Sequence, residues 1–386
     1  MIDRLLRALA AMIVACAAMI LPGASRGWGR AMRQEVRDIP QGVEALRFAL
    51  GCLVGASREV FGPADLHESV QEGRPSGSPT GIGLRVLLVA CAIVAVLLGL
   101  GHMKAGGAPA TMMLMNLIAL ALGLLLLSTT SMLRSFLPAP DPRSLSLLLS
   151  LLLVATALAG MTVDGATRWI RLSGLAVQPS LILLPLILLW FVRRASPASL
   201  LAVLLSALAL ALQPDRAMAG ALAAGLLALA LTRPDRVTLF ALAAAVAGFV
   251  ATLAQPDVQP AMPFVDQILW TAFALHPLAG VAVVGGAALL VVPGLVLMAR
   301  GAGDRPLGAV FAATWFAIVL AAGLGNYPTP LVGYGGSAIL GYLACLWGLP
   351  RSMTRARRPV NGFRREKAEE GRQNLRSGII ATQTIA

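Results

Sequence analysis

Acidic residues are scarce in this 386-residue chain, and glutamate is absent from residue 73 to residue 365. Charged residues make up 13% of the sequence, whereas soluble domains carry about 25%. An enzyme that needs a carboxylate as general base in this region has only aspartates to use. The same scarcity argues against a soluble globular fold.

Residue types that bind metals and nucleotides are also few. The chain has three histidines and four cysteines, without a C-x-x-C pair. Zinc and iron sites need clusters of such ligands, so we predict no metal and no cofactor. The pattern G-x-x-x-x-G-K-[ST] does not occur, which leaves ATP-driven work unsupported. In a membrane protein a net charge of +13 is first a sign of topology, so we predict no nucleic-acid partner.

Long apolar runs dominate the sequence, and the whole chain is 58% hydrophobic with a mean hydropathy of +0.79. Lipid offers backbone groups no water to bond, so repeated apolar runs of about 18 residues should be membrane-spanning helices, and the short fourth run can continue back through "LAVQPS". We therefore predict an all-α, polytopic membrane protein with about ten transmembrane helices in residues 83–350. The runs are residues 83–103, 109–133, 144–161, 181–192, 197–212, 217–232, 237–254, 272–299, 307–325 and 333–350.

Residues 1–72 differ in character from the apolar region. The first 25 residues fit a cleaved signal peptide, because two arginines precede a short apolar stretch. The residues that follow place Arg and Glu opposite Leu, Val and Phe on a helix, so we favour an amphipathic helical segment on the cytoplasmic membrane surface. Residues 73–82 are rich in Gly, Pro and Ser and predict a linker. Residues 351–386 predict a basic cytoplasmic tail.

The distribution of arginine predicts the orientation in the membrane. Positive residues concentrate in cytoplasmic loops. With the N-terminus inside, the inner loops hold eight arginines and the outer loops hold four cations. We therefore predict that both termini are cytoplasmic and that the loops rich in Pro, Gln and Asp face outward. The outward-facing aspartates are Asp164, Asp215, Asp257 and Asp266.

Three of the outer stretches resemble motifs of one family. "GATRWIRLSGLAVQPS" at 165–180 resembles G-x-x-R-W-I-x-L-G-x-x-x-x-Q-P-S-E, and "LQPDRAMAG" at 212–220 resembles L-Q-P-D-x-G-T. "YPTPLVGYGGS" at 327–337 resembles P-L-P-x-V-S-Y-G-G-S-S. They occur in the order found in the SEDS family, the shape, elongation, division and sporulation proteins of the RodA/FtsW type. The resemblance covers residues 83–350.

The resemblance implies a peptidoglycan glycosyltransferase of the bacterial cytoplasmic membrane. Such proteins polymerise a lipid-linked disaccharide precursor into glycan strands. Their partners are the surrounding membrane lipid and, usually, a penicillin-binding transpeptidase. An aspartate before the eighth span is the family's acid or base candidate, and Asp266 stands at the matching position. Further candidate substrate-binding residues are Gln178, Ser180, Asp215, Tyr334, Gly335, Gly336 and Ser337.

Arg168 and Arg171 are the remaining candidates for substrate binding. If their segment is helical, the two side chains share a face and suit the diphosphate of the lipid-linked donor. A simpler interpretation is that both snorkel to the membrane surface, with Trp169 as an aromatic anchor.

The chain departs from the family pattern at several positions. Leu181 stands where Glu usually follows Q-P-S, and Gly333 replaces the serine before Y-G-G. The long outer loop before the eighth span is also missing. Two alternatives therefore stay open. One is a non-catalytic protein that binds lipid-linked glycan or a cell-division partner, and the other is a transporter of a lipid-linked or small anionic substrate.

Overall fold

The computed structural model describes isolated positions among the first 25 residues and then residues 26–61, 81–133, 141–172, 174–256 and 259–349. Most of the predicted linker and all of the predicted basic tail lie outside these residues. The described chain is helical except for one small sheet and the connecting loops.

Within the continuously described residues 26–61, two helices precede the apolar region, namely α1 (Arg26–Asp38) and α2 (Gly42–Phe61). Met32 and Val36 are buried on one face of α1, at the spacing of an amphipathic helix. They belong to a small apolar cluster that also contains Ala45 of α2. These helices lie in the predicted amphipathic segment, whose position on a membrane surface stays a prediction.

Ten apolar helical stretches follow among the described residues, and six of them are long enough to cross a membrane. Each coincides with one of the predicted runs, so the chain is a multi-pass helical membrane protein. The long stretches are α3 (Gly81–Ala105), α4 (Ala110–Leu133), α5 (Pro142–Ala159), α9 (Arg236–Leu253), α11 (Pro277–Leu289) with α12 (Val292–Met298), and α13 (Arg305–Leu324). The shorter ones are α6 (Pro179–Arg193), α7 (Pro197–Leu212), α8 (Arg216–Thr232) and α14 (Gly336–Gly348).

The eighth span begins later than predicted. A separate short helix, α10 (Ile268–Leu275), precedes it. His276 is extended, with φ −166° and ψ 136°, and its Nδ1 accepts the N–H of Leu278 at 3.1 Å. Pro277 starts α11, because proline fits the first turn of a helix but not its interior. This helix therefore starts at residue 277, whereas the apolar run was predicted from about residue 272.

A three-stranded antiparallel sheet connects α5 to α6, where the sequence predicted no strand. It consists of β1 (Met161–Val163), β2 (Ala166–Leu172) and β3 (Leu175–Val177), in the order β1-β2-β3. Asp164 and Gly165, with φ of 48° and 81°, form the turn between β1 and β2. An Asp-Gly pair favours this turn because both residues tolerate positive φ. The all-α prediction is confirmed for the membrane region and is supplemented by this sheet.

The centre of the bundle is the contact between α6 and α14. Almost all of α6 is buried. A Cβ on Gly341 would overlap the carbonyl oxygen of Leu181, so only glycine permits this close approach. Tyr342 packs edge-on against Trp315 of α13, with ring centroids 4.9 Å apart. This packing brings the first turns of α6 and α14 together at one end of the bundle.

Candidate functional site

A cavity of about 440 Å³ lies at the end of the bundle where the sheet meets the loops before α10 and α14. Sites for small ligands commonly have this size. Arg168, Gln178, Asp266, Tyr334 and Ser337 are among its polar lining residues. Side chains from three separate stretches of the sequence therefore line one space.

Asp266 is a buried carboxyl group in the cavity wall, with 8% of its surface exposed. Its Oδ2 accepts the backbone N–H of Met262 at 2.8 Å, and Oδ1 receives no hydrogen bond from the residues that the structure describes. Burial raises the pKa of this carboxyl above its ordinary value, whereas the Met262 N–H and the charge of Arg168 act in the opposite direction. A carboxylate with a raised pKa is a suitable proton acceptor.

The backbone around Asp266 is strained and is held by the loop before α14. Phe264 and Gln267 have φ of 62° and 57°, in the left-handed region that non-glycine residues avoid. The carbonyl oxygens of Phe264 and Val265 accept the N–H groups of Tyr334 at 2.6 Å and Thr329 at 2.9 Å. These two bonds fix the segment that carries Asp266, and strain of this kind is concentrated at functional sites.

Arg168 places a fixed positive charge in the cavity wall. It lies on β2 and is 4% exposed. Its Nη2 donates to the carbonyl oxygen of Pro214 at 2.6 Å, and its Nη1 donates to Gln259 Oε1 at 3.3 Å. The guanidinium also lies over the ring of Tyr327, 5.6 Å from the centroid. These contacts orient the charge. Its effect on the pKa of Asp266 is a lowering, which opposes the larger raising effect of burial.

Arg171 does not line this cavity, although the sequence grouped it with Arg168. Its segment is a strand, and side chains three positions apart in a strand point to opposite faces. The expected common face is therefore absent. Arg171 is exposed, and its Nη2 lies 3.4 Å from Met161 Sδ.

Asp215 forms a fully buried hydrogen-bonded cluster behind the cavity. Its Oδ2 accepts hydrogen bonds from Ser180 Oγ at 2.7 Å and from Gln178 Nε2 at 3.0 Å. Its Oδ1 accepts the N–H of Met218 at 3.3 Å and so caps the first turn of α8. Of the three predicted binding residues in this cluster, only Gln178 lines the cavity. Ser180 and Asp215 tie the start of α6 to the start of α8.

Tyr334, Gly335, Gly336 and Ser337 all line the cavity. The φ of 157° at Gly335 favours glycine. Ser337 Oγ accepts the backbone N–H of Gln178 at 3.0 Å, which joins the first turns of α14 and α6. All four members of this predicted motif therefore reach the site.

Three amide side chains at or behind the cavity were among the residues that the sequence did not predict. Asn116 of α4 is fully buried, and its side chain donates to the carbonyl oxygen of Gly333 at 2.9 Å and accepts the N–H of Gly335 at 3.1 Å. The only sequence signal was one asparagine in an apolar run, a position where polar residues usually have a specific partner. Gln259 and Asn326 line the cavity from two loops.

The candidate metal ligands do not come together in the described part of the chain. No group of three or more His, Cys, Asp or Glu side chains there could hold a metal ion. Asp257, one of the four aspartates predicted to face outward, lies outside the described residues.

The fold and the cavity together define a multi-pass helical membrane protein with a polar site at one end of its bundle. Comparison with known proteins gives structural matches only, since no family model and no curated protein sequence matches the chain. The crystal structure of the rod shape determining protein RodA of Thermus thermophilus is 24% identical, with 71% of this chain and 96% of that chain covered and a TM-score of 0.48.

Two further structures are similar over the same extent. An aspartate-to-alanine mutant of the Thermus thermophilus RodA is 25% identical, covering 68% of this chain and 94% of that chain with a TM-score of 0.48. A structure described as the structural coordination of polymerization and crosslinking by a peptidoglycan synthase complex contains a chain that is 26% identical, with 68% and 94% covered and a TM-score of 0.46.

Proposed function

We propose that the chain is a divergent SEDS protein that polymerises a lipid-linked disaccharide precursor into the glycan strands of peptidoglycan. The observation that supports this most is that two of its three SEDS-like stretches, 165–180 and 327–337, line one cavity together with Asp266. The distribution of arginine supports a position of this cavity on the outer face of the bacterial cytoplasmic membrane, with both termini inside.

The proposed reaction needs a base and a cation. The acceptor hydroxyl oxygen forms a bond to the anomeric carbon of the donor sugar, and the bond from that carbon to the diphosphate oxygen breaks. The leaving lipid diphosphate keeps the electron pair, and the hydroxyl proton goes to Asp266 Oδ1. Arg168 supplies fixed positive charge for the diphosphate. Both groups are in the same cavity wall, as this chemistry requires.

The remaining cavity residues suit the polar parts of such a substrate. Tyr334 and Ser337 offer hydroxyl groups, and the adjacent glycines allow a sugar or phosphate to approach the backbone. The buried bonds of Asp215 to Ser180 and Gln178 hold Gln178 at the cavity wall. We propose that Ser180 and Asp215 support the site without contacting the substrate. We propose no role in substrate binding for the exposed Arg171.

A second candidate function is binding of lipid-linked glycan, or of a cell-division partner, without catalysis. One observation favours it, namely that Leu181 lines the cavity where the SEDS motif has glutamate. Within the described lining, only Asp164 and Asp266 carry carboxyl groups. A site that needs a second catalytic carboxylate would therefore depend on the exposed Asp164.

Purified protein with lipid-linked disaccharide-pentapeptide distinguishes the two candidates. The precursor should be supplied with and without a penicillin-binding transpeptidase, and glycan strands should be measured by gel electrophoresis beside direct binding of the precursor. Strands made by the wild-type protein support the polymerase. Binding of the precursor without strands, even with the transpeptidase, supports the second candidate. Absence of both binding and strands would exclude both functions for this precursor.

A further inference from the structure

The side chain of Asn326 connects Gln259 and Gln267, which lie on either side of Asp266 in the connection before α10. Its Nδ2 donates to the carbonyl oxygen of Gln259 at 2.8 Å. Its Oδ1 accepts the Nε2 of Gln267 at 2.6 Å. A single half-buried amide therefore bridges the segment 259–267 from one end to the other.

Gln259 extends this connection to the sheet. Its Oε1 accepts a hydrogen bond from Nη1 of Arg168 at 3.3 Å, and its Nε2 donates one to the carbonyl oxygen of Val163 at 3.1 Å. The resulting series of hydrogen bonds runs from Arg168 through Gln259 and Asn326 to Gln267, the residue that follows Asp266. Arg168 and the segment that carries Asp266 are thus attached to opposite ends of one amide network.

The network contacts Gln267, whose backbone conformation is strained. Gln267 has φ of 57°, a left-handed conformation that non-glycine residues avoid. Its side chain is exposed, so burial contributes little to holding it. The hydrogen bond to Asn326 restrains this side chain, and a change in the backbone of Gln267 would rotate the neighbouring carboxyl group of Asp266.

We propose that Asn326 is a positioning residue, which fixes the loop 259–267 so that Asp266 and Arg168 keep their places in the same cavity wall. The geometric part of this inference concerns the loop alone, whereas its catalytic consequence rests on the proposed function. The two parts are therefore tested by separate measurements.

The geometric part is tested by hydrogen exchange of the full-length protein with Asn326→Leu, which removes both hydrogen bonds at similar volume. We expect exchange in peptides covering 259–267 and 326–334 to become roughly fivefold to tenfold faster, as expected from the loss of one or two hydrogen bonds. Asn326→Asp keeps the acceptor for Gln267 and loses the donor to Gln259, so its effect should be intermediate. Unchanged exchange with Asn326→Leu would overturn the proposal.

Gln255→Leu is the matched control for this experiment. It removes another amide bond of the same connection, from Gln255 Nε2 to the carbonyl oxygen of Ala211 at 3.1 Å. This bond does not touch the segment 259–267, so exchange there should stay at the wild-type rate. Equal acceleration by both variants would show general loosening and would contradict a specific role for Asn326.

The catalytic part is tested by glycan polymerisation and by rescue. Asn326→Leu should lower kcat roughly tenfold to a hundredfold with little change in KM, because a small displacement of a catalytic group has effects of this size. Adding Gln267→Gly should recover part of kcat, since glycine adopts φ near +57° without strain. Faster exchange with unchanged kcat would refute the catalytic role. An inactive wild-type protein would instead count against the proposed function, and exchange would still decide the geometry.

Discussion

Tyr334 donates its backbone N–H to the carbonyl oxygen of Phe264 at 2.6 Å. This bond joins the glycine-rich loop before α14 to the loop that carries Asp266, although the two loops are far apart in the sequence. The neighbouring bond from Thr329 to Val265 strengthens the same junction. Because both loops line the cavity, moving either one changes the surroundings of Asp266.

The first prediction concerns the helix that supports this junction. A Cβ on Gly99 of α3 would overlap the carbonyl oxygen of Val332, so Gly99→Ala should push the glycine-rich loop away. We expect a destabilisation of about 1–3 kcal/mol, typical of overpacking, together with reduced glycan synthesis. Gly101→Ala is the control in the same helix, since nothing lies within 4 Å of its added Cβ. Thermal unfolding in detergent measures the loss of stability. Equal losses for Gly99→Ala and Gly101→Ala would contradict the account.

The second prediction uses the pH dependence of the reaction. Asp266 accepts a proton only when it is ionised, so activity should fall as the pH decreases through its pKa. Burial raises this pKa and the charge of Arg168 lowers it. Arg168→Met removes the lowering influence and should move the acidic limb of kcat/KM to higher pH.

Arg171→Met is the control for the pH experiment. Arg171 is on the same strand but is exposed and does not line the cavity. Its replacement should leave the acidic limb where it is in the wild-type protein. Equal shifts in both variants would mean that net charge, rather than the position of Arg168, sets the pKa of Asp266.

The third prediction concerns stability. Asp215→Ala removes the acceptor for Ser180, Gln178 and the N–H of Met218, and it leaves buried donors without a partner. We expect a loss of about 3–5 kcal/mol in the free energy of unfolding. Asp141→Ala should change it by less than about 0.5 kcal/mol, because the exposed Asp141 begins α5 without a side-chain cap bond. Similar losses in both variants would refute the supporting role of Asp215.

The membrane region could be predicted well from sequence, and the sheet could not. Apolar runs of sufficient length identify helices because lipid leaves no other stable backbone structure. The strands of 161–163 and 175–177 are three residues long, too short for the alternation of a strand to be recognised. The Asp-Gly pair at 164–165 was the available sign of a hairpin.

The site was predictable only in part, for a related reason. Short motifs indicated the residues of β2 and of the loop before α14, because their types and order are distinctive. Asn116 and Asn326 are single amides without a motif, and their partners lie in other loops or helices. Such bonds depend on how the bundle brings distant segments together, which a local pattern does not record.

The fourth prediction tests the orientation of the bundle. Thr162 is exposed at the sheet, and Ala195 is exposed in the connection between α6 and α7. In a cysteine-free background, a membrane-impermeant thiol reagent added to intact cells should label Thr162→Cys and should not label Ala195→Cys. The opposite pattern would place the cavity on the cytoplasmic face and would exclude the proposed outer-face reaction.

The central claim is that Asp266 takes the proton of the acceptor hydroxyl, and the isosteric variant Asp266→Asn tests it most directly. Purified wild-type protein and variant should be given lipid-linked disaccharide-pentapeptide, with precursor binding measured in parallel. The account predicts glycan strands from the wild-type protein, a decrease of at least roughly a hundredfold for Asp266→Asn, and similar binding of the precursor by both. Strands formed by Asp266→Asn at the wild-type rate would contradict it.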